Sequence, residues 1–194
     1  MKRMCVILTA LLVTAVLTAP VGAAYDPEAD YMQQMIQAVM DGDEEAGTAA
    51  EQARNEKITG EGLDYALIAF DDLLLLSRVI YREAGSCWLS EEWKMCVGEV
   101  VLNRVASPEF PDTIREVVMQ PGQYGGRCAD FQDLRPSRDC VEVALRLLTG
   151  ERVLEEPSVV FQSNNRLGSG VYRKLTDEAL GVTYLCYSSH PELY

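Results

Sequence analysis

The segment from Asp71 to Gly85, DDLLLLSRVIYREAG, commits the chain to a helix with a defined end. Leu73, Leu76 and Ile80 recur at helical spacing, an Asp71/Asp72 cap opens the run, and Gly85 breaks it. The next position on that apolar stripe is Glu83. An apolar surrounding desolvates a carboxylate, and the last helical turn presents it with the negative end of the macrodipole. Both effects disfavour the anion. A carboxyl group kept protonated near neutral pH is what a general acid needs. The alternative is a terminal-turn Glu pointing to water and pairing with Arg82 or Arg104.

Helix signals recur on both sides of this segment. Upstream, Tyr31, Met32, Met35, Ile36 and Val39 follow helical spacing until Asp41-Gly42-Asp43, and a second, Ala-rich helix runs from Glu44 to about Lys57. These two acidic helices either pack on the core or act as a spacer. Downstream, Ser90 caps EEWKMCVGEVVLNRVAS, Asp112 or Thr113 opens a short helix before Pro121, and Ser137 caps RDCVEVALRLLTG. A long loop rich in turn residues, PGQYGGRCADFQDLRPS, separates the last two. Strand signals are confined to SVVFQSN and GVTYLCYS, joined by a loop containing Gly and Ser. The expected fold class is mostly α with a small two-stranded β element.

The first residues place the chain outside the cytoplasm. Lys2 and Arg3 precede the apolar run Cys5–Ala19, and Val21-Gly22-Ala23-Ala24 supplies small residues for cleavage. That pattern is a secretory signal peptide over residues 1–24, too short for a convincing membrane span. An acidic helical extension over 25–62 and a catalytic domain over 63–194 complete the expected organisation. The formal charge of −13 excludes nucleic-acid binding through phosphate neutralisation, and an anionic bilayer would repel the chain, so no membrane insertion is expected after cleavage. No cofactor is implied. With no CxxC spacing and a single histidine, His190, neither a zinc site nor a His-dependent hydrolase of the usual kind is expected. In an exported chain Cys87, Cys96, Cys128, Cys140 and Cys186 read as disulfide candidates with one left over. Cys128–Cys140 and Cys87–Cys96 are the expected pairs, which leaves Cys186 a buried free thiol; spacing alone leaves other pairings open.

RVIYREAG followed by VGEVVLNRVASPEFPDTIREVVMQPGQY resembles the SleB-type cell-wall hydrolases, the spore-cortex-lytic enzymes. The shared elements stand at Tyr81–Ala84, Val97–Val105, Ser107–Ile114 and Gln120–Tyr124, and the likeness extends over about Asp72 to Ser188. It implies a lysozyme-like, lytic-transglycosylase-type fold and cleavage of peptidoglycan glycan strands. The family's catalytic acid falls on Glu83, with Tyr81 in the same motif. Protonated Glu83 would donate to the oxygen linking N-acetylmuramic acid to N-acetylglucosamine, and its carboxylate would then take the proton of the muramic acid C6 hydroxyl. Hydrolysis through water would normally call for a second carboxylate.

The remaining candidates are contacts to sugar. Asn103 follows the helix register of Val97–Val105 and either touches substrate or caps a neighbouring loop. Gln123 and Tyr124 sit in the Gly-rich loop, where an amide reads N-acetyl or hydroxyl groups and a ring stacks on a sugar face. FQSN resembles the family's aromatic-Tyr-Asn segment, which adds Gln162 and Asn164; a plain edge strand is the alternative there. The chain departs from the family where Gly85-Ser86-Cys87 follows Glu-Ala and where Gly181-Val182-Thr183 replaces Gly-Asn-His. The acidic helices also stand where members carry a peptidoglycan-binding module. The implied activity is a secreted lytic transglycosylase, with spore cortex among the substrates. An N-acetylmuramidase cutting the same bond and a non-catalytic wall-binding protein are the alternatives.

Overall fold

The computed structural model describes residues 27–62, 67–124 and 133–194. The expected signal peptide and Cys128 therefore lie outside the described residues. In chain order the helices are α1 (Pro27–Asp41), α2 (Glu44–Glu61), α3 (Phe70–Ala84), α4 (Glu91–Ala106), α5 (Ile114–Met119) and α6 (Arg138–Leu148). Strands β1 (Val159–Ser163), β2 (Val171–Asp177) and β3 (Gly181–Tyr187) follow, then a short 3-10 turn over Pro191–Leu193.

α3 is buried on every side from Leu73 to Ile80 and packs against all five other helices. Such a helix has no polar face to spare and forms the axis of the bundle. Met35, Ile36 and Val39 of α1 are buried in the same core, so the acidic pair of helices packs on the bundle and does not act as a spacer. The cap of α3 differs from expectation. The helix begins at Phe70 after an N-cap Ala69 that makes no side-chain bond, and Glu51 of α2 accepts from the Phe70 N–H at 2.8 Å. The orphan donor of α3 is thus satisfied by a neighbouring helix. Ser90 and Thr113 cap α4 and α5 as their sequence predicts, accepting from Trp93 and Glu116 N–H groups.

The sheet has three antiparallel strands in the order β1-β3-β2, one more than expected. The added strand is Val171–Asp177, whose Arg, Lys and Asp residues blur the alternation of a half-buried strand. Its pairing with β3 is secured elsewhere: Tyr172 and Leu175 pack on the sheet core, and Asp177 accepts from the Ala179 and Leu180 N–H groups in the connecting turn. The charged residues suit an edge strand.

α4 joins bundle and sheet. Met95, Val97 and Val101 belong to the bundle core, whereas Cys96 and Val100 pack with Leu154, Val159 and Leu185 beneath the sheet. Gly98 lets α4 approach its neighbours, since a Cβ there would stand 2.4 Å from Leu147 and 2.9 Å from Ile80. Three buried polar residues of α4 then bind the backbone leading into β1. Glu99 accepts from the Val153 and Leu154 N–H groups at 2.6 and 3.0 Å. Asn103 Nδ2 donates to the Val159 carbonyl at 3.1 Å, and Arg104 Nε donates to the Val160 carbonyl at 2.6 Å.

The cysteines correct a second expectation. Cys87, Cys96, Cys140 and Cys186 are all free thiols. Cys87 is exposed in the turn after α3, while Cys96 faces the sheet core, so the expected Cys87–Cys96 bridge does not form. Burial pushes the Cys96 thiol up to about 11. Cys140 is buried in the first turn of α6 and accepts from the Ser137 hydroxyl at 3.3 Å; its expected partner Cys128 lies outside the described residues. Cys186 is a buried free thiol, as expected.

Glu99→Ala removes the acceptor of two buried N–H groups and is expected to lower stability by about 3 kcal/mol. Urea denaturation checks this: the midpoint falls while the slope stays constant.

Candidate active site

Glu83 stands in the last turn of α3, where the helix leaves the core. Tyr81 is half-buried against the core and fixes this turn. A Cβ at Gly85 would lie 2.1 Å from the Tyr81 carbonyl oxygen and 2.7 Å from its ring, so glycine lets the chain turn away just after Glu83. The Glu83 side chain is reachable by solvent, yet the surrounding protein desolvates its carboxyl and raises its pKa, with the Arg82 charge opposing the rise. Glu83 is thus exposed and not buried on the apolar stripe of α3, although the protein around it disfavours its charged form. The negative charge of Glu83 in turn acts on Tyr124.

Arg104 ties the loop to the strand. Its Nη1 donates to Gln123 Oε1 at 2.8 Å, and its guanidinium lies 5.0 Å from the Tyr124 ring centre, 5.1 Å from Phe110 and 6.0 Å from Phe161. The Phe110 and Phe161 rings meet edge to face at 6.4 Å. A cation held among three aromatic rings is favourable and is oriented by them. Burial pushes the Tyr124 phenol up to about 12, against the lowering effect of Arg104 and with the help of Glu83.

Gln123 and Tyr124 meet at Arg104, and the Glu83 charge is felt at Tyr124; Gln162 lies on β1 and Asn164 is exposed just beyond its end. Enclosed side-chain oxygens of Gln120, Tyr124 and Gln162 have no partner among the described residues. Buried acceptors and hydroxyls without partners are costly and mark places where water or a polar ligand completes the bonding. Asn103 is placed differently. Its amide nitrogen serves the Glu156 and Val159 carbonyls, which is the loop-capping alternative.

Sequence reading offers Arg104 only as a partner for Glu83 and does not single out Phe110 or Gln120 for this region. The signal for Arg104 lay in the spacing: Glu99, Asn103 and Arg104 occupy one side of a helix otherwise filled by Val97, Val100 and Val101. Polar residues on a buried face must be answered by partners from elsewhere in the chain.

Residues 90–176 match the profile of the family described as Cell Wall Hydrolase. The chain carries a cell wall hydrolase domain. The matched span takes in α4, the Arg104 cage, β1 and nearly all of β2, while Glu83 lies just ahead of it. Such a domain implies an enzyme acting on peptidoglycan, outside the cytoplasm. No curated protein and no solved structure matches the chain. No helix among the described residues is long and apolar enough to cross a membrane.

Arg104→Lys keeps the charge but cannot reach the Val160 carbonyl and Gln123 together from a planar fork. The substitution is expected to cost about 2 kcal/mol of stability, read by urea denaturation, and to speed proteolysis of the loop after Gln120.

Proposed function

We propose that the protein is a secreted lytic transglycosylase that cuts the N-acetylmuramic acid–N-acetylglucosamine bond of peptidoglycan, with Glu83 as acid and then base. The carrying observation is the single accessible, desolvated carboxyl at the end of α3, whose pKa is raised. The neighbouring acids in sequence are committed elsewhere: Glu91 pairs with Arg146 at 2.6 Å and Glu92 with Arg173 at 2.7 Å. Among the described residues no second carboxylate shifts the Glu83 pKa. That favours a route in which one group does both proton transfers.

In this route Glu83 gives its proton to the leaving N-acetylglucosamine oxygen as the bond to the muramic acid C1 breaks. The C6 hydroxyl of the same sugar then attacks C1, and the Glu83 carboxylate takes the hydroxyl proton. The product ends in a 1,6-anhydro ring and Glu83 regains its starting state, so no water is consumed. Gln123 and Gln162 are placed to bond N-acetyl or hydroxyl groups, and Tyr81 and Asn103 position the turn and the strand that border the groove. Asn164 contacts the glycan from the end of β1. A lysozyme-like arrangement of the bundle and sheet, a signal peptide over 1–24, an extension over 25–62 and a catalytic domain over 63–194 complete the proposal. Spore cortex is among its substrates. An N-acetylmuramidase remains the second reading, since the partnerless oxygens of Gln120 and Gln162 also suit a bound water.

Purified protein is expected to release anhydro-muramic ends from sacculi or cortex, read by mass spectrometry of the muropeptides. Reducing ends would favour the muramidase. Glu83→Gln should keep its fold and lose at least ~10²-fold in rate. Because the acid form is needed first and its pKa is raised, activity should persist above the ordinary carboxylate range and fall as pH rises through the Glu83 ionisation. Tyr124→Ala should weaken binding of a glycan oligomer by about 1 kcal/mol in calorimetry.

A further inference from the structure

The chain is strongly acidic, and many of its described cations meet carboxylates. Lys57, Arg78, Lys94, Arg115, Arg138, Arg146 and Arg173 all do so. Arg166 and Lys174 form no such pair, and both line one shallow cavity of about 490 Å³ beside the sheet. The Arg166 guanidinium lies 5.6 Å from the Tyr184 ring centre, and Lys174 is the cross-strand partner of Tyr184. Directly paired residues share a face of a sheet, so the two cations flank one ring. Exposed Leu167 and Val171 add apolar surface to the same cavity.

The wall of the cavity is held in place. Ser169 N–H donates to the Ser188 carbonyl at 3.1 Å, and Tyr187 N–H donates to the Gly170 carbonyl at 3.0 Å. The cavity also adjoins the Arg104 cage: a Cβ on Gly168 would stand 3.1 Å from the Phe161 ring. Phe161 is one of the rings around Arg104, so that ring borders both the cage and the wall of this cavity.

We propose that the cavity lined by Arg166, Lys174, Tyr184, Leu167 and Val171 is a subsite for the carboxylate-bearing peptide stem that hangs from the glycan strand. The inference rests on the peptidoglycan reading above and adds what the enzyme recognises beside the sugars. Peptide stems combine free carboxylates with short aliphatic side chains, which matches two uncommitted cations beside an aromatic ring and apolar surface. The volume suits a few residues of peptide.

The test uses the whole protein and three soluble probes: a wall stem tripeptide with free carboxylates, the same peptide with carboxamides, and poly(glycerol phosphate). Calorimetry should show the free-acid peptide binding wild type, with affinity at least about fivefold lower in Arg166→Glu/Lys174→Glu and for the carboxamide peptide. Raising the salt should shrink the difference. Both positions border solvent, and thermal melting checks that the variant folds; Arg166→Gln/Lys174→Gln serves if it does not. Equal affinity for both peptides, an unaffected variant, or no binding of the free-acid peptide overturns the proposal. Tighter binding of poly(glycerol phosphate) overturns it in favour of a phosphate polymer. Sacculus cleavage separates the two readings. A wild type that binds the peptide but cleaves no sacculi defeats the transglycosylase reading alone, whereas one that cleaves sacculi but ignores the peptide defeats the subsite alone.

Discussion

Three side chains on one side of α4 hold the sheet to the helical bundle. After α6 the chain must return to form β1, and the backbone from Val153 to Val160 passes beside α4, its Leu154, Val159 and Val160 buried there. Buried N–H and C=O groups need partners there, and no ladder supplies the first of them. Glu99 accepts from two of the amides, and Asn103 and Arg104 donate to the carbonyls that follow. A buried carboxylate is tolerable only when its lone pairs are met by donors, and paired backbone amides meet them. The motif Val97–Val105 is therefore a clamp first. Arg104 extends the clamp to Gln123, so one helix sets both the strand and the loop beside Glu83.

Arg104 and Glu83 stand in electrostatic surroundings unlike those of the surface ion pairs. Around the molecule, arginines and lysines are spent on carboxylates in exposed pairs, and each exposed pair contributes little to stability. Arg104 is buried and turned to neutral acceptors and aromatic faces, where its orientation counts for more than its charge. Glu83 has the opposite arrangement, being open to solvent while its charged form is disfavoured by the protein around it. In the proposed reaction, a substrate against Glu83 would remove the remaining water from that carboxyl, and the further desolvation would raise its pKa again and hold the proton for the leaving oxygen.

Much of this was legible in the sequence because it depends on local rules. Ser90 and Thr113 cap helices, and Leu73, Leu76 and Ile80 face the core, since capping and periodicity act within a few residues. What stayed hidden depends on distant partners. Glu51 caps α3 from another helix, and its role is invisible without the packing of α2. Strand β2 is held by β3 and by Asp177 in the turn, against its own mixed polarity. The thiols followed the same rule: secretion argued for bridges, but Cys96 faces the sheet core and Cys87 faces solvent. At the site, Glu83, Gln123 and Tyr124 were readable as candidates, while Arg104 acquires its importance only when Phe110, Tyr124 and Phe161 close around it.

The two hydrophobic cores set how α3, with Glu83, stands relative to β1, with Gln162. The larger core holds α1, α3, α5 and α6; the smaller lies beneath the sheet; α4 contributes to both through adjacent residues. Cys96 and Val100 point one way, Val97 and Val101 the other, which a helix allows because successive residues lie about 100° apart. Glu83 belongs to the first unit and Gln162 to the second. Their separation is therefore set by the thickness and rotation of α4, held by Gly98 on one side and by the Glu99–Arg104 clamp on the other. A change of volume at Gly98 would move the acid relative to the strand without touching either. Close packing transmits such a shift, because a filled core has no slack to absorb it.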